Sequence, residues 1–172
     1  MRSSLLIAAL LTGLLCRAQL GALHWAYGPF ATPGDVAFIV EGDPDQGGAR
    51  IYQACGAFGS KGPCMYVILK DQVFHSADAF GQRGNAAFVA EEGRLIRCSG
   101  AFCTKGSCAL MLEGNKVFRA DGAFCNKQEG AFLLEGEDVY LGEGVFCQRG
   151  DAILHVRGTI PMIALLTILA GL

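Results

Sequence analysis

The chain has 172 residues, enough for one domain of ordinary size and too few for two. Its 14 Lys and Arg against 16 Asp and Glu leave a formal charge of −2, without the basic excess of a nucleic-acid-binding protein. Apolar residues make up 52%, and the 24 glycines recur at intervals instead of clustering, so the composition is not that of a disordered chain.

Residues 1–18 carry the three parts of an export signal. Arg2 is the positive n-region, Leu5 to Leu15 the uncharged h-region, and Cys16-Arg17-Ala18 a cleavage box with small residues at −3 and −1. The expected mature N-terminus is Gln19, or Leu23 if cleavage follows Leu20-Gly21-Ala22. An uncleaved anchor would need about 20 apolar residues, more than this h-region offers. Residues 19–34 read as a lead or cap, with an aromatic patch at His24-Trp25-Ala26-Tyr27-Gly28.

Residues 35–158 are the repeat domain. Phe58, Phe80, Phe102, Phe124 and Phe146 stand 22 residues apart, and a fixed period of this length marks a repeat architecture. A small or short apolar residue precedes each ring (Ala57, Ala79, Ala101, Ala123, Val145), and a cation follows it by three: Lys61, Arg83, Lys105, Lys127 and Arg149. Gly comes next at Gly62, Gly84, Gly106 and Gly150, with Gln128 the exception. Within a unit, the apolar run Ala109 to Leu112 meets the tight-turn sequence Glu113-Gly114-Asn115-Lys116, and Val117-Phe118 restart a strand. Glu91-Glu92-Gly93-Arg94 and Glu135-Gly136-Glu137-Asp138 occupy the same turn. Asp121-Gly122 read as a bulge or bend, and the glycines after the cations as the second turn of each unit. Asp43 to Ala49 insert about six extra residues into the first unit.

The expected fold is therefore all-β, with five 22-residue β-hairpin repeats in a meander or solenoid-like array. The alternative is a parallel β-helix with 22-residue coils, in which equivalent residues stack about 4.8 Å apart. In either architecture the Phe column is expected to face the interior; the competing reading is an exposed aromatic stripe that binds a ligand. The unit resembles the short β-hairpin repeats of membrane-occupation-type families, from which its glycine spacing and aromatic choices depart, and no residue role carries over.

Residues 159–172 (TIPMIALLTILAGL) form an uncharged tail. As a helix it would span about 21 Å, short of a hydrocarbon core of about 30 Å. It reads as a membrane attachment, a GPI-attachment signal included, or as a segment that packs on the repeats.

Seven cysteines remain once Cys16 leaves with the signal: Cys55, Cys64, Cys98, Cys103, Cys108, Cys125 and Cys147. In an oxidising compartment these are candidate disulfide partners, with an odd thiol left over. Cys103, Cys125 and Cys147 share the column after Phe. They are close enough to bond in a β-helix and too far apart, at about 9.6 Å, in a hairpin array. Lys61, Arg83, Lys105, Lys127 and Arg149 are candidate anion-binding residues, with Glu91, Glu113 and Glu135 as an acidic counter-column. No Cys-x-x-Cys, Gly-x-Gly-x-x-Gly, phosphate-loop or His-Glu-x-x-His pattern occurs, and His24, His75 and His155 are scattered; His75 and Asp78 are the nearest to a pair. No catalytic, cofactor-binding or metal-binding residue is expected.

These features favour a non-enzymatic protein of the secretory pathway, secreted or on the cell surface, that mediates binding or adhesion. A protein or an anionic glycan is the expected partner, and nucleic acid is not. A self-assembling coat or filament built through open end strands is the alternative, and a small extracellular enzyme is a weaker one.

Overall fold

A computed structural model describes residues 19–43, 48–56 and 58–172. The export segment 1–18, residues 44–47 of the inserted turn, and Ala57 lie outside the described residues. The described residues form twelve strands and one helix. The strands are β1 (Gln19–Tyr27), β2 (Thr32–Asp43), β3 (Gly48–Cys55), β4 (Ser60–Leu69), β5 (Gln72–Ser76) and β6 (Arg83–Glu91). They continue with β7 (Arg94–Ser99), β8 (Thr104–Glu113), β9 (Lys116–Asp121), β10 (Asn126–Glu135), β11 (Asp138–Glu143) and β12 (Gln148–Gly158). The helix α1 covers Met162–Leu169. Each strand pairs antiparallel with its sequence neighbours, and β12 pairs with β1, so the meander closes into a barrel.

The hairpin meander is thus present, but it is neither an open solenoid nor a β-helix. It has six hairpins, not five. Residues 19–34, expected as a cap, supply β1, the first turn and the start of β2. The six hairpins are equivalent down to their register. Between successive hairpins the facing pairs are Phe38–Gln53, Tyr66–His75, Phe88–Arg97, Leu110–Arg119 and Phe132–Leu141. Leu154–Trp25 repeats the same relation across the seam. A ring that closes on its own repeat register has an approximate six-fold axis.

The Glu-Gly turns expected at 91–94, 113–116 and 135–138 all join strands at one end of the barrel. The other turns fall elsewhere than expected. Gly62, Gly84, Gly106 and Gly150 lie inside β4, β6, β8 and β12, where the backbones crowd. A Cβ on Gly62 would sit 2.7 Å from the Gln53 carbonyl oxygen, and one on Gly150 3.1 Å from that of Leu141. The chain reverses instead at the Phe itself, between Tyr27 and Thr32, Cys55 and Ser60, Ser99 and Thr104, and their equivalents.

One ring of side chains, Leu23, Ile51, Val73, Leu95, Val117 and Val139, is almost completely buried inside. Twelve strands about 4.8 Å apart and tilted by about 40° enclose a backbone cylinder about 24 Å across, too wide for strand side chains alone to fill. The apolar tail fills it. Ala164 to Leu169 are six consecutive buried residues, which covers every side of the helix, and all but Thr167 share one core cluster with side chains from all twelve strands. A helix is the conformation that can do this, because its backbone groups bond internally and place no unmet donor in an apolar lumen. Thr167 is satisfied in the same way, its hydroxyl donating to the Ile163 carbonyl at 2.7 Å.

The tail is therefore part of the core and not a separable appendage to a finished repeat domain. Removing residues 159–172 is expected to abolish the cooperative thermal transition and expose dye-binding apolar surface, and Leu166→Ala should cost about 2–5 kcal/mol. A truncated chain that melts like the parent would contradict this placement.

Candidate functional site

Each hairpin is capped, at the end opposite the Glu-Gly turns, by a four-residue turn with Phe in third place. The sequences are Gly28-Pro29-Phe30-Ala31, Gly56 to Gly59, Asp78 to Gly81, Gly100 to Cys103, Gly122 to Cys125 and Gly144 to Cys147. In four of them the N–H of the last residue donates to the carbonyl of the first, at 3.1–3.3 Å. The residue after Phe is left-handed in all six, with φ between +49° and +91°, although it is Ala or Cys in four. Asp78 replaces the first Gly in the third turn. Its Oδ1 accepts the N–H groups of Phe80 and Gln82, both at 2.9 Å. The backbone N–H of Gln82, then those of Phe80 and Gly81, hold this exposed carboxyl below the usual carboxylate range.

At the apex of such a turn a ring has nothing to pack against. Exposure runs from 73% at Phe146 to 97% at Phe58 and Phe102, with Phe30, Phe80 and Phe124 between. The interior placement expected for this column is therefore wrong. The 22-residue period steps two strands and not one, so neighbouring rings stand about 9.6 Å or more apart, beyond the 4.5–7 Å of a stacked pair. Phe30 was missed because the inserted turn stretches its spacing to Phe58 to 28 residues.

The turns do not stand free. Register shifts occur in every pair of strands joined by a Phe turn, and in none of the pairs between hairpins. Such bulges bend the strands, and each turn curls onto the outer face of the preceding hairpin. The residue after Phe is the anchor. Cys125 is bonded to Cys108 of β8, with Cα atoms 5.0 Å apart. Cys147 is buried over Gly130 and Gly142, where a Cβ on either glycine would collide with its sulfur, and its thiol lies 3.2 Å from the Phe132 carbonyl oxygen. Cys103 is bonded within its hairpin to Cys98. Cys103, Cys125 and Cys147 do not bond to one another, in keeping with the two-strand spacing. Cys55, Cys64 and Cys147 are free; burial raises the thiol pKa of Cys64 and Cys147, and Cys55 is exposed. The Phe turns thus form a girdle on the outer wall of the barrel: Lys116 Nζ donates to the Phe146 carbonyl at 2.7 Å, and Phe58 and Gly59 line a cavity with Gly21, Ala22, Arg157 and Gly158.

The five cations stand at the first or second residue of β4, β6, β8, β10 and β12, and their side chains run along the outer wall. Lys61, Lys105, Lys127 and Arg149 are paired with Glu41, Glu91, Glu113 and Glu135 of the preceding hairpins. Lys61, Arg83, Lys127 and Arg149 also cover the outward rings of Tyr52, Phe74, Phe118 and Tyr140, with the cation 3.8–4.8 Å from the centroid. Ile96 takes the ring's place under Lys105. Arg83 has no carboxylate partner among the described residues, since Leu69 stands where the other units carry Glu.

A second ring lies inside the barrel, away from the Glu-Gly turns: Trp25, Gln53, His75, Arg97, Arg119 and Leu141 pair across strands with lumen-facing residues. A cavity of about 240 Å³ opens there, lined by Trp25, Arg119 and Leu141 above Phe132 and Leu172. His75 stacks on Tyr66, with ring centroids 5.4 Å apart, and is not bonded to Asp78. His24 meets the Gly34 carbonyl oxygen, and His155 meets Asp138 at 2.7 Å. Among the described residues, no three His, Cys, Asp or Glu side chains are placed to hold a metal ion.

No protein-family model matches this chain, nor does any curated protein or solved structure.

The girdle and the interior make opposite demands on stability. Phe102→Ala should shift the melting temperature by no more than about 1–2 °C, as for an exposed side chain. Leu95→Ala, one unit away but fully buried, should cost about 2–5 kcal/mol. Comparable losses from the two variants would return the Phe column to the core.

Proposed function

We propose that this chain is a non-enzymatic binding or adhesion protein of the secretory pathway, secreted or held at the cell surface, and that it binds through its Phe girdle. The observation that carries this is the exposure of six equivalent phenylalanines on apolar turns. Large rings held in water on purpose-built turns contribute nothing to folding, and exposed apolar clusters of this kind mark interaction sites. The two disulfides fit an oxidising compartment. Export with cleavage before Gln19 leaves β1 whole. Cleavage after Ala22 would remove residues that pair with Arg157 and Gly158 at the barrel seam.

An anionic glycan lying along the cation column is less well supported. It would have to displace the carboxylates of Glu41, Glu91, Glu113 and Glu135. A coat or filament built by edge pairing needs unpaired strands, and the closed barrel offers no sheet edge.

The test is binding of the labelled, disulfide-intact protein to cells. The pair Phe102→Ser and Phe124→Ser should abolish binding with an unchanged melt, and Lys105→Gln with Lys127→Gln should leave it nearly intact. The reverse pattern would move the binding face to the cation column.

A further inference from the structure

We propose that the barrel seam carries a binding site for a small aromatic carboxylic acid, on the outer wall over β12, β1 and β2. Arg157 takes the acid group and Phe58 lies against the ring. The site goes beyond the reading of the girdle as a binding face: it uses one Phe turn and the place where the repeat is broken.

The repeat is its own control. Six residues before Phe, five hairpins carry an outward Tyr52, Phe74, Ile96, Phe118 or Tyr140, and three residues after it a cation. Four of those cations, Lys61, Lys105, Lys127 and Arg149, meet the Glu that stands eleven residues after the preceding Phe. At the seam all three positions change. His24 replaces the ring, Pro33 the cation, and Arg157 the Glu. Arg157 is exposed and has no carboxylate partner among the described residues. With neither ring nor cation to fill the bed under the Phe58 turn, a cavity of about 610 Å³ opens there, within the size range of small-molecule sites. The other break in the ion-pair column is Arg83, opposite Leu69. There the ring is kept: Arg83 lies over Phe74, 4.8 Å from its centroid, and the hollow beside it is smaller, about 370 Å³.

The lining selects the ligand. Ala22, Val36 and Ile39 give an apolar floor, and Phe58, 97% exposed, offers a free ring face for stacking. The turn that holds this ring is fixed, since Gly59 packs so closely on β2 that a Cβ there would come 2.5 Å from Val36 Cγ2. His24 is fixed too, with Nδ1–H donating to the Gly34 carbonyl at 3.0 Å. One guanidinium is the only charged group of the lining, so the site suits a monoanion. The parallel N–H pair of Arg matches a carboxylate, whereas a phosphate monoester would call for a second cation.

The experiment is calorimetric titration of the mature chain from Gln19, disulfides intact, with 2-naphthoate, its neutral analogue 2-naphthamide, and inorganic phosphate. The parent should bind one naphthoate per chain, the amide at least about tenfold more weakly, and phosphate not measurably. Arg157→Gln should weaken naphthoate by about tenfold, and Phe58→Ser by a similar factor. His24→Tyr, which restores the ring of the other units, should fill the cavity and abolish binding with no loss of melting temperature. Arg157→Glu should abolish it in a chain whose packing is untouched, should His24→Tyr melt early. Arg83→Gln should leave binding unchanged. So should Phe102→Ser with Phe124→Ser, whether or not that pair still binds cells, which keeps the failure of one reading distinguishable from the failure of the other. A parent that binds no naphthoate, or equal affinity for acid and amide, would overturn the proposal. Binding that survives Arg157→Glu but is lost in Arg119→Gln would place the ligand in the lumen beside Trp25 and overturn it as well.

Discussion

The width of a twelve-stranded barrel is the constraint on which the rest of this molecule depends. An eight-stranded barrel can fill its lumen with strand side chains, and a twelve-stranded one cannot. Here the C-terminal helix fills the space, buried all round from Ala164 to Leu169. The fully buried ring from Leu23 to Val139 packs around it, and small residues such as Ala37, Ala87, Ala109 and Ala131 complete the same cluster. The six hairpins depend on the helix, which touches what no hairpin can reach across the lumen.

Closure also decides what is left for the outside to do. A closed sheet has no unpaired edge strand, so the backbone offers no template for another chain. The outer wall is already finished: its rings lie under Lys and Arg side chains, and most of those cations meet a Glu. Exposed pairs of this kind contribute little stability, up to about 1 kcal/mol each, but they occupy both charge columns. What remains unpartnered is the girdle. Its turns hold Ala or Cys in left-handed backbone at Ala31, Cys103, Cys125 and Cys147, a conformation that costs about 1–2 kcal/mol for a residue with a Cβ. Two of these cysteines, Cys103 and Cys125, are tied by disulfides to Cys98 and Cys108.

Much of the fold is legible in the sequence, and its failures have physical causes. The 22-residue period, the all-β character and the Glu-Gly turns follow directly from glycine and apolar spacing. The same spacing says nothing about what repeats face. A column held in register suits a buried ring and a turn apex equally, and only the left-handed residues flanking Phe102 and its equivalents tell them apart. Gly-x-Phe-Cys, Gly-x-Phe-Gly and Gly-Pro-Phe-Ala are turn sequences, with the flanking Gly and Cys free or forced to take positive φ. Read so, they reveal the sixth unit at Phe30 as well. Barrel closure is not legible, because each unit looks alike whether the array is open or shut. The role of the tail follows from closure and was hidden with it: fourteen apolar residues read alike as an anchor or a plug until there is a lumen to fill. The cation column and three of its partners, Glu91, Glu113 and Glu135, were visible by residue number; Glu41, and the pairing of each cation with the Glu one hairpin back across the outer face, were not.

The central claim is that the C-terminal helix is the core of the barrel, and amide hydrogen exchange followed by mass spectrometry tests it directly. If α1 fills the lumen, peptides covering 162–169 should exchange only through global unfolding, at the rate of peptides from β7 and β9 that carry Leu95 and Val117. Exchange of the helix within seconds, while those strands stay protected, would show that the barrel stands without it and would contradict the account.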